Sequence, residues 1–288
     1  MYIKNINYTK IGGEQKMLKI IRESFKITNE NVVIATPLIF FSIISSLYLI
    51  FSSGGSNAGL LIALILFFLM LGAFLAGWFY MITKVVKNSE NSDDKLIFEF
   101  PSGVGEYFLS ALGMIFKVTV VSLIIIVGTL LIGKKFIGGI GVPYAQFSQA
   151  ISNVETMKSF VESLNNEQLV KINLWNALLF LGMVINYFIL MLYPAVIFFK
   201  EKNPFKAFFV CLKDTFSHRF LKNVGLFLIT FILYFLVSTC TAFAGKNIIT
   251  HFIMTLINFY YMTFVTIFIF NYYYSNFIKV GSNIDTTV

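Results

Sequence analysis

A chain of 288 residues that is 57% hydrophobic, 17% aromatic and only 12% charged cannot keep its surface in water as a soluble monomer, since such proteins carry roughly twice that charge. Two cysteines are too few for a secreted disulfide scaffold, and a net charge of +8 without a compact basic motif argues against nucleic acid as a partner. The remaining class is an integral membrane protein.

The first thirty residues are polar and precede the first apolar run, so no cleavable signal peptide is expected and the first span serves as its own insertion signal. Within them Met17, Ile20, Ile21 and Phe25 fall at helical spacing while Lys16, Lys19, Glu23 and Lys26 take the other face. Crossing a hydrocarbon core of about 30 Å takes about 20 apolar residues at 1.5 Å each. Six runs qualify: Val32–Phe51, Leu60–Ile82, Ala111–Ile132, Leu174–Phe199, Val224–Phe243 and Phe252–Tyr274. Their hydrophobicity is continuous rather than alternating, which fits helices and excludes an outer-membrane barrel. The predicted fold is an all-α polytopic membrane bundle of six transmembrane helices.

Span two carries Ala73 and Gly77, a small-xxx-small pair that admits a close neighbour. Before span three, Val104, Tyr107, Phe108, Ala111, Leu112 and Ile115 repeat the amphipathic spacing with fewer charges. Span three holds Lys117, the one formal charge within a span, close enough to the cytoplasmic end for its side chain to snorkel to headgroups. It closes on Gly128-Thr129-Leu130-Leu131-Ile132-Gly133-Lys134-Lys135. This is not a phosphate-binding loop, because Lys135 stands where a magnesium-holding hydroxyl is needed and no strand precedes it. The segment 144–166 then reads as an extracytoplasmic amphipathic helix with Phe147, Ile151, Val154, Phe160, Val161 and Leu164 on its apolar face.

Spans four and six contain uncharged polar residues: Asn176, Asn186 and Tyr187, then Thr255, Asn258 and Thr266. They are read either as interhelical packing glue or as the lining of a cavity for a neutral solute. Pro37 and Pro194 are expected to kink spans one and four. Ahead of span five, Phe205, Phe208, Phe209, Leu212 and Phe216 form an apolar face with Lys206, Lys213 and Asp214 opposite. Arg22-Glu23-Ser24-Phe25 matches Lys213-Asp214-Thr215-Phe216 by residue type, so the three odd-numbered spans are expected to follow amphipathic elbow helices in a weak threefold repeat.

The stretch Asn203-Pro204-Phe205-Lys206-Ala207-Phe208-Phe209-Val210-Cys211-Leu212-Lys213-Asp214-Thr215-Phe216, followed by the apolar run after Asn223, resembles the glycerophosphoryl diester phosphodiesterase membrane-domain family and its six-span relatives of unknown function. The resemblance implies a bacterial inner-membrane protein. It brings no catalytic residues, because the phosphodiesterase activity of that family lies in a separate soluble domain.

With both termini on one side, sixteen of the 22 basic residues flank spans on that side and five, Lys134, Lys135, Lys158, Lys171 and Lys246, on the other. Basic flanks stay inside, so both termini are expected in the cytoplasm of a bacterial cell. Lys19, Arg22, Lys117, Lys206, Lys213 and Arg219 are then candidate ligands for lipid headgroups. His218 and His251 fall on opposite sides, Cys211 and Cys240 lie too far apart to bridge, and no Asp, Glu or His sits within a span to relay protons. No metal, cofactor or catalytic set is expected. The leading functional reading is non-enzymatic, by lipid contact or by assembly with a protein partner or a second copy; the alternative is a permease or channel for a neutral or lipid-like molecule.

Overall fold

Each of the six apolar runs is helical, and among the described residues there is no strand. The computed structural model describes residues 4–52, 57–88, 96–143, 148–150, 153–243 and 247–279. Its main elements are α1 (Lys4–Glu30), α2 (Ala35–Ser52), α3 (Asn57–Lys87), α4 (Glu99–Phe136), α5 (Val154–Ser163), α6 (Asn166–Leu190), α7 (Tyr193–Phe199), α8 (Pro204–Thr215), α9 (Phe220–Phe243) and α10 (Ile248–Tyr273). Short 3-10 turns, Val32–Ile34 and Leu96–Phe98, precede α2 and α4, and a π turn, Tyr274–Ile278, extends α10. Six helical stretches are long and apolar enough to cross a membrane: Val32–Phe51, Gly59–Lys87, Leu96–Phe136, Asn166–Phe199, Phe220–Ala242 and Ile249–Ile278. The chain is therefore a multi-pass membrane protein.

Several of these helices exceed what a bilayer requires. The second, third, fourth and sixth run to 29, 41, 34 and 30 residues, against the roughly 20 that suffice. In two of them burial is concentrated toward the C-terminal end. On α3, Leu61 is 61% exposed and Ile82 0%; on α10, Phe252 is 62% exposed and Phe268 0%. Lipid tails are as apolar as leucine, so helices within the hydrocarbon gain little by hiding apolar side chains from it.

The chain divides into two compact units, Met1–Lys117 with Ile189–Val288, and Val118–Phe188. The core of the first is aromatic. Phe41 stacks on Phe74 at 4.2 Å between ring centroids, Phe74 on Trp78 at 5.5 Å, and Phe79 meets Phe198 and Phe270 at 5.6 and 5.4 Å. α2 and α3 form an antiparallel pair fixed at both ends. Tyr48 Oη donates to the Ala63 carbonyl at 2.6 Å and Trp78 Nε1 to the Ile34 carbonyl at 2.9 Å. Gly77 takes part in the packing read from its spacing with Ala73: a Cβ there would lie 2.6 Å from the Phe100 ring.

In the second unit the α4 and α6 segments pair antiparallel. Asn186 Nδ2 donates to Ser122 Oγ at 2.9 Å, Gly182 faces Thr129, and the Trp175 ring fills the space beside Gly133. Asn165 and Gln168 form a reciprocal capping box at the start of α6. The amphipathic segment read as 144–166 forms α5 only over Val154–Ser163, capped by Asn153 whose Oδ1 accepts from Thr156 N. Phe147 and Ile151 lie outside the described residues.

The segments before the odd-numbered spans join them in three different ways. α1 is 27 residues long and meets α2 through a 3-10 turn; α8 is a separate helix of 12 residues; the segment before span three is continuous with it in one 38-residue helix, since nothing between Glu99 and Phe136 breaks it but a proline within the first turn. Nor does α1 lie across the end of its neighbours. Ser24 Oγ accepts from Asn271 Nδ2 at 3.1 Å, Asn29 Oδ1 accepts from Tyr260 Oη at 2.6 Å, and Phe25 packs on Tyr260 and Phe264, so α1 runs alongside α10. Its buried stripe is Ile20, Ser24, Ile27 and Thr28, continued by Asn31 just past its end.

Pro37 stands in the first turn of α2, where its missing N–H costs nothing. Pro194 does interrupt its span: α6 ends at Leu190 and α7 restarts at Tyr193 with the proline in its first turn.

Candidate lipid-facing site

The local sequence of α8 sets its ends sharply. Asn203 caps the N-terminus, its Oδ1 accepting from Phe205 N at 3.0 Å and Lys206 N at 3.2 Å, and Pro204 occupies the first helical position. At the other end the orphan carbonyls of Asp214 and Thr215 both accept from Asn223 Nδ2, at 3.0 and 2.9 Å. Tyr272 Oη in turn donates to Asn223 Oδ1 at 2.7 Å.

Ala207, Cys211, Asp214 and Thr215 form the buried face of α8. Placing Asp214 with Lys206 and Lys213 on the polar face is therefore corrected. Its carboxylate is 9% exposed, paired with Lys200 Nζ at 3.0 Å, and accepts from Tyr273 Oη at 2.7 Å. With both partners in place it is an anchor, and the residue continues the stripe Ala207, Cys211, Asp214 at the 4- and 3-residue steps of a helix face. Cys211 is enclosed beside it, and burial pushes its thiol up to about 12, which keeps it protonated and unreactive at neutral pH. Lys202, ahead of the helix, pairs with Glu106 and lies over the Tyr107 ring at 4.7 Å; the hydrogen bond to Glu106 raises its ammonium above the usual lysine value.

The opposite face of α8 is exposed and carries Phe205, Lys206, Phe209 and Lys213, with Phe216 just beyond. Lys206 and Lys213 are seven residues apart, about 10 Å along one side of the helix. Gly113 of α4 brings this helix close: a Cβ there would run into the Pro204 ring. One turn further along α4, Lys117 Nζ hangs over three phenyl rings of α8, 4.7 Å from the centroid of Phe208 and 5.8 Å from those of Phe205 and Phe209. No carboxylate of the described residues lies within 4 Å of it. Its neighbour Phe116 is 60% exposed, so the cation stands beside apolar surface that is open to the surroundings. Ring faces hold an ammonium electrostatically but do not neutralise it.

The other candidates scatter. Arg219 stacks on Phe277 at 5.0 Å. Lys19 and Arg22 are exposed on α1, Lys19 facing Glu23 at 3.7 Å. Among the uncharged polar residues, Asn258 Nδ2 donates to Thr241 Oγ1 at 3.3 Å, joining α9 to α10. Thr255 is exposed and Thr266 half-buried, and they back-bond to the His251 and Met262 carbonyls. Asn176 and Tyr187 are exposed on α6. Asn186 Oδ1 is buried and unpaired among the described residues. No cluster of three or more metal-ligating side chains occurs among the described residues. Comparison of the chain with known protein families, curated proteins and solved structures finds no match to any of them.

Proposed function

We propose that this protein works without catalysis in the bacterial cytoplasmic membrane, with both termini inside, by holding anionic lipid headgroups at the margin between α4 and α8. The observation that carries this reading is Lys117, a cation seated on three phenylalanine rings with no carboxylate of the described residues to pair with. A lipid phosphate supplies the missing charge. Phe205, Phe209 and Phe216 enter the acyl boundary while Lys206 and Lys213 stay at phosphate level, as in interfacial amphipathic helices. The surplus of basic residues on the same side supports the orientation, and the resemblance of 203–216 to a membrane-domain family fits a role inside the membrane.

The test is lipid-dependent thermal stability of the purified protein in zwitterionic micelles titrated with phosphatidylglycerol. Lys117→Gln should weaken the apparent lipid affinity about fivefold, the loss of roughly 1 kcal/mol for one interfacial cation, and Lys117→Arg should preserve it. Equal stabilisation of wild type and Lys117→Gln would refute the reading. A second reading, a path for neutral solutes, rests on the unpaired Asn186 Oδ1. It requires Asn186→Leu to abolish flux in proteoliposomes without lowering the melting temperature.

A further inference from the structure

Beside the α2–α3 pair lies an open cleft of about 500 Å³ that shares no residue with the Lys117 site. Its walls are Phe40 and Ile44 of α2, Met70 and Ala73 of α3, and Ile97 with Phe100 ahead of and within α4. The volume is ample for a ligand, as binding clefts run from about 300 to 1,000 Å³. Among the lining residues only Thr36, in the first turn of α2, carries a side-chain polar atom.

Three features of the packing shape the cleft. Phe41 and Phe74 stack on one another and together form part of its wall. Gly77 lets the Phe100 ring lie flat on α3 instead of swinging into the space. Ala73, one turn before Gly77, leaves a methyl where a larger side chain would fill the gap.

What fills such a cleft follows from its chemistry. Water needs roughly two to four polar partners to settle, and these walls offer one hydroxyl. An empty cleft leaves its lining without contacts on one side. The cleft covers positions 36–44 of α2, about 12 Å of helix rise from the end at which α2 begins, which fits within the roughly 15 Å of one leaflet's hydrocarbon. Phe40 and Ile44 are 60% and 50% exposed, so the opening faces the same medium as the rest of the spanning helices.

We infer that this cleft seats one acyl tail of a membrane phospholipid, held as a resident rather than exchanging with the bulk bilayer. The site is built by small residues on α3 and by the ring of Phe100, and it selects for a flexible linear hydrocarbon because its walls offer shape and almost no polarity.

The experiment uses the full chain in phosphatidylethanolamine–phosphatidylglycerol vesicles containing a trace of phosphatidylglycerol with a diazirine in the middle of one tail. After photolysis the adducts are mapped by mass spectrometry against Leu236 and Ile253, exposed apolar residues of α9 and α10. Adducts should concentrate on Phe40, Ile44 and Met70. Ala73→Phe should lower them about tenfold relative to Leu236, as when about two methylenes lose their seat. Ala73→Leu gives the same direction in a smaller step should the phenylalanine disturb folding, and Met70→Ala, which widens the cleft, should keep the adducts. An even spread over the cleft and Leu236, or no response to an Ala73 variant that retains its melting temperature, overturns the inference. So does selective labelling by a diazirine fatty acid but not by the phospholipid, or a disulfide-linked dimer through Phe40→Cys, which would put a second copy over the opening.

Discussion

Asp214 shows how one buried carboxylate can fix a surface helix. It accepts from Tyr273 and pairs with Lys200, while its own backbone carbonyl and that of Thr215 are held by Asn223. Removing the carboxylate leaves a buried phenol and an ammonium without their acceptor, and breaking a buried pair from one side costs about 3–5 kcal/mol. Lys200 is 42% exposed and can recover water, so Asp214→Ala should fall near the lower end, about 3 kcal/mol, and Lys200→Ala should cost distinctly less. Chemical denaturation in micelles measures both, and equal effects would remove the anchor role. None of this was legible in the sequence. An acid between Cys211 and Thr215 reads as solvent-facing because charged residues are almost never buried unless paired, and the partners Lys200, Asn223 and Tyr273 come from three other parts of the chain. The lysines facing outward, by contrast, could be read correctly from spacing alone.

At the scale of elements, the meeting of α4 and α8 depends on Gly113, which gives the Pro204 ring its seat and sets Lys117 above the phenylalanines. Gly113→Leu should cost about 1–3 kcal/mol through overpacking, and should abolish the lipid preference carried by Lys117, whereas Gly105→Leu, where a Cβ meets nothing within 4 Å, should leave it. Lipid-dependent melting of the two variants separates the outcomes. The helices themselves were visible as apolar runs, and α8 through its amphipathic spacing. Their joins were not. Amphipathic spacing is identical whether a segment ends before its span, as α8 does, or runs on without a break, as in α4, because periodicity reports a face and not a boundary. Pro194 ended α6 as a proline in a helix should, but Pro37 fell in the first turn, where the same residue is harmless.

For the whole molecule, counting residues was enough to find six spans, since length and apolarity are what the bilayer demands. It was not enough to place their ends. A leucine against lipid and a leucine inside a packed core have the same hydropathy, so apolarity does not mark where a span stops. The proposed orientation leads to a direct expectation. A cysteine replacing Asn153 should react with an impermeant maleimide added to intact cells, and one replacing His218 should react only after the membrane is opened. The reverse pattern would invert the topology and place the Lys117 site at the outer leaflet.

The hydrogen bond between Asn271 and Ser24 joins residues 247 positions apart, and the Asn29–Tyr260 bond spans nearly as far. The packed base of the protein thus draws on both extremities of the chain, and it cannot close while the ribosome is still at work on span five. At roughly 5–20 residues per second, α1 waits on the order of 10–50 s beside the inserted early hairpins before α10 arrives to receive it. During that interval Ile20, Ile27 and the hydroxyls of Ser24 and Thr28 face solvent or headgroups. For this protein, closing the α1–α10 interface is therefore a late event of biogenesis: the α2–α3 and α4–α6 pairs can form as their spans insert, whereas the packing of α1 waits until α10 is delivered.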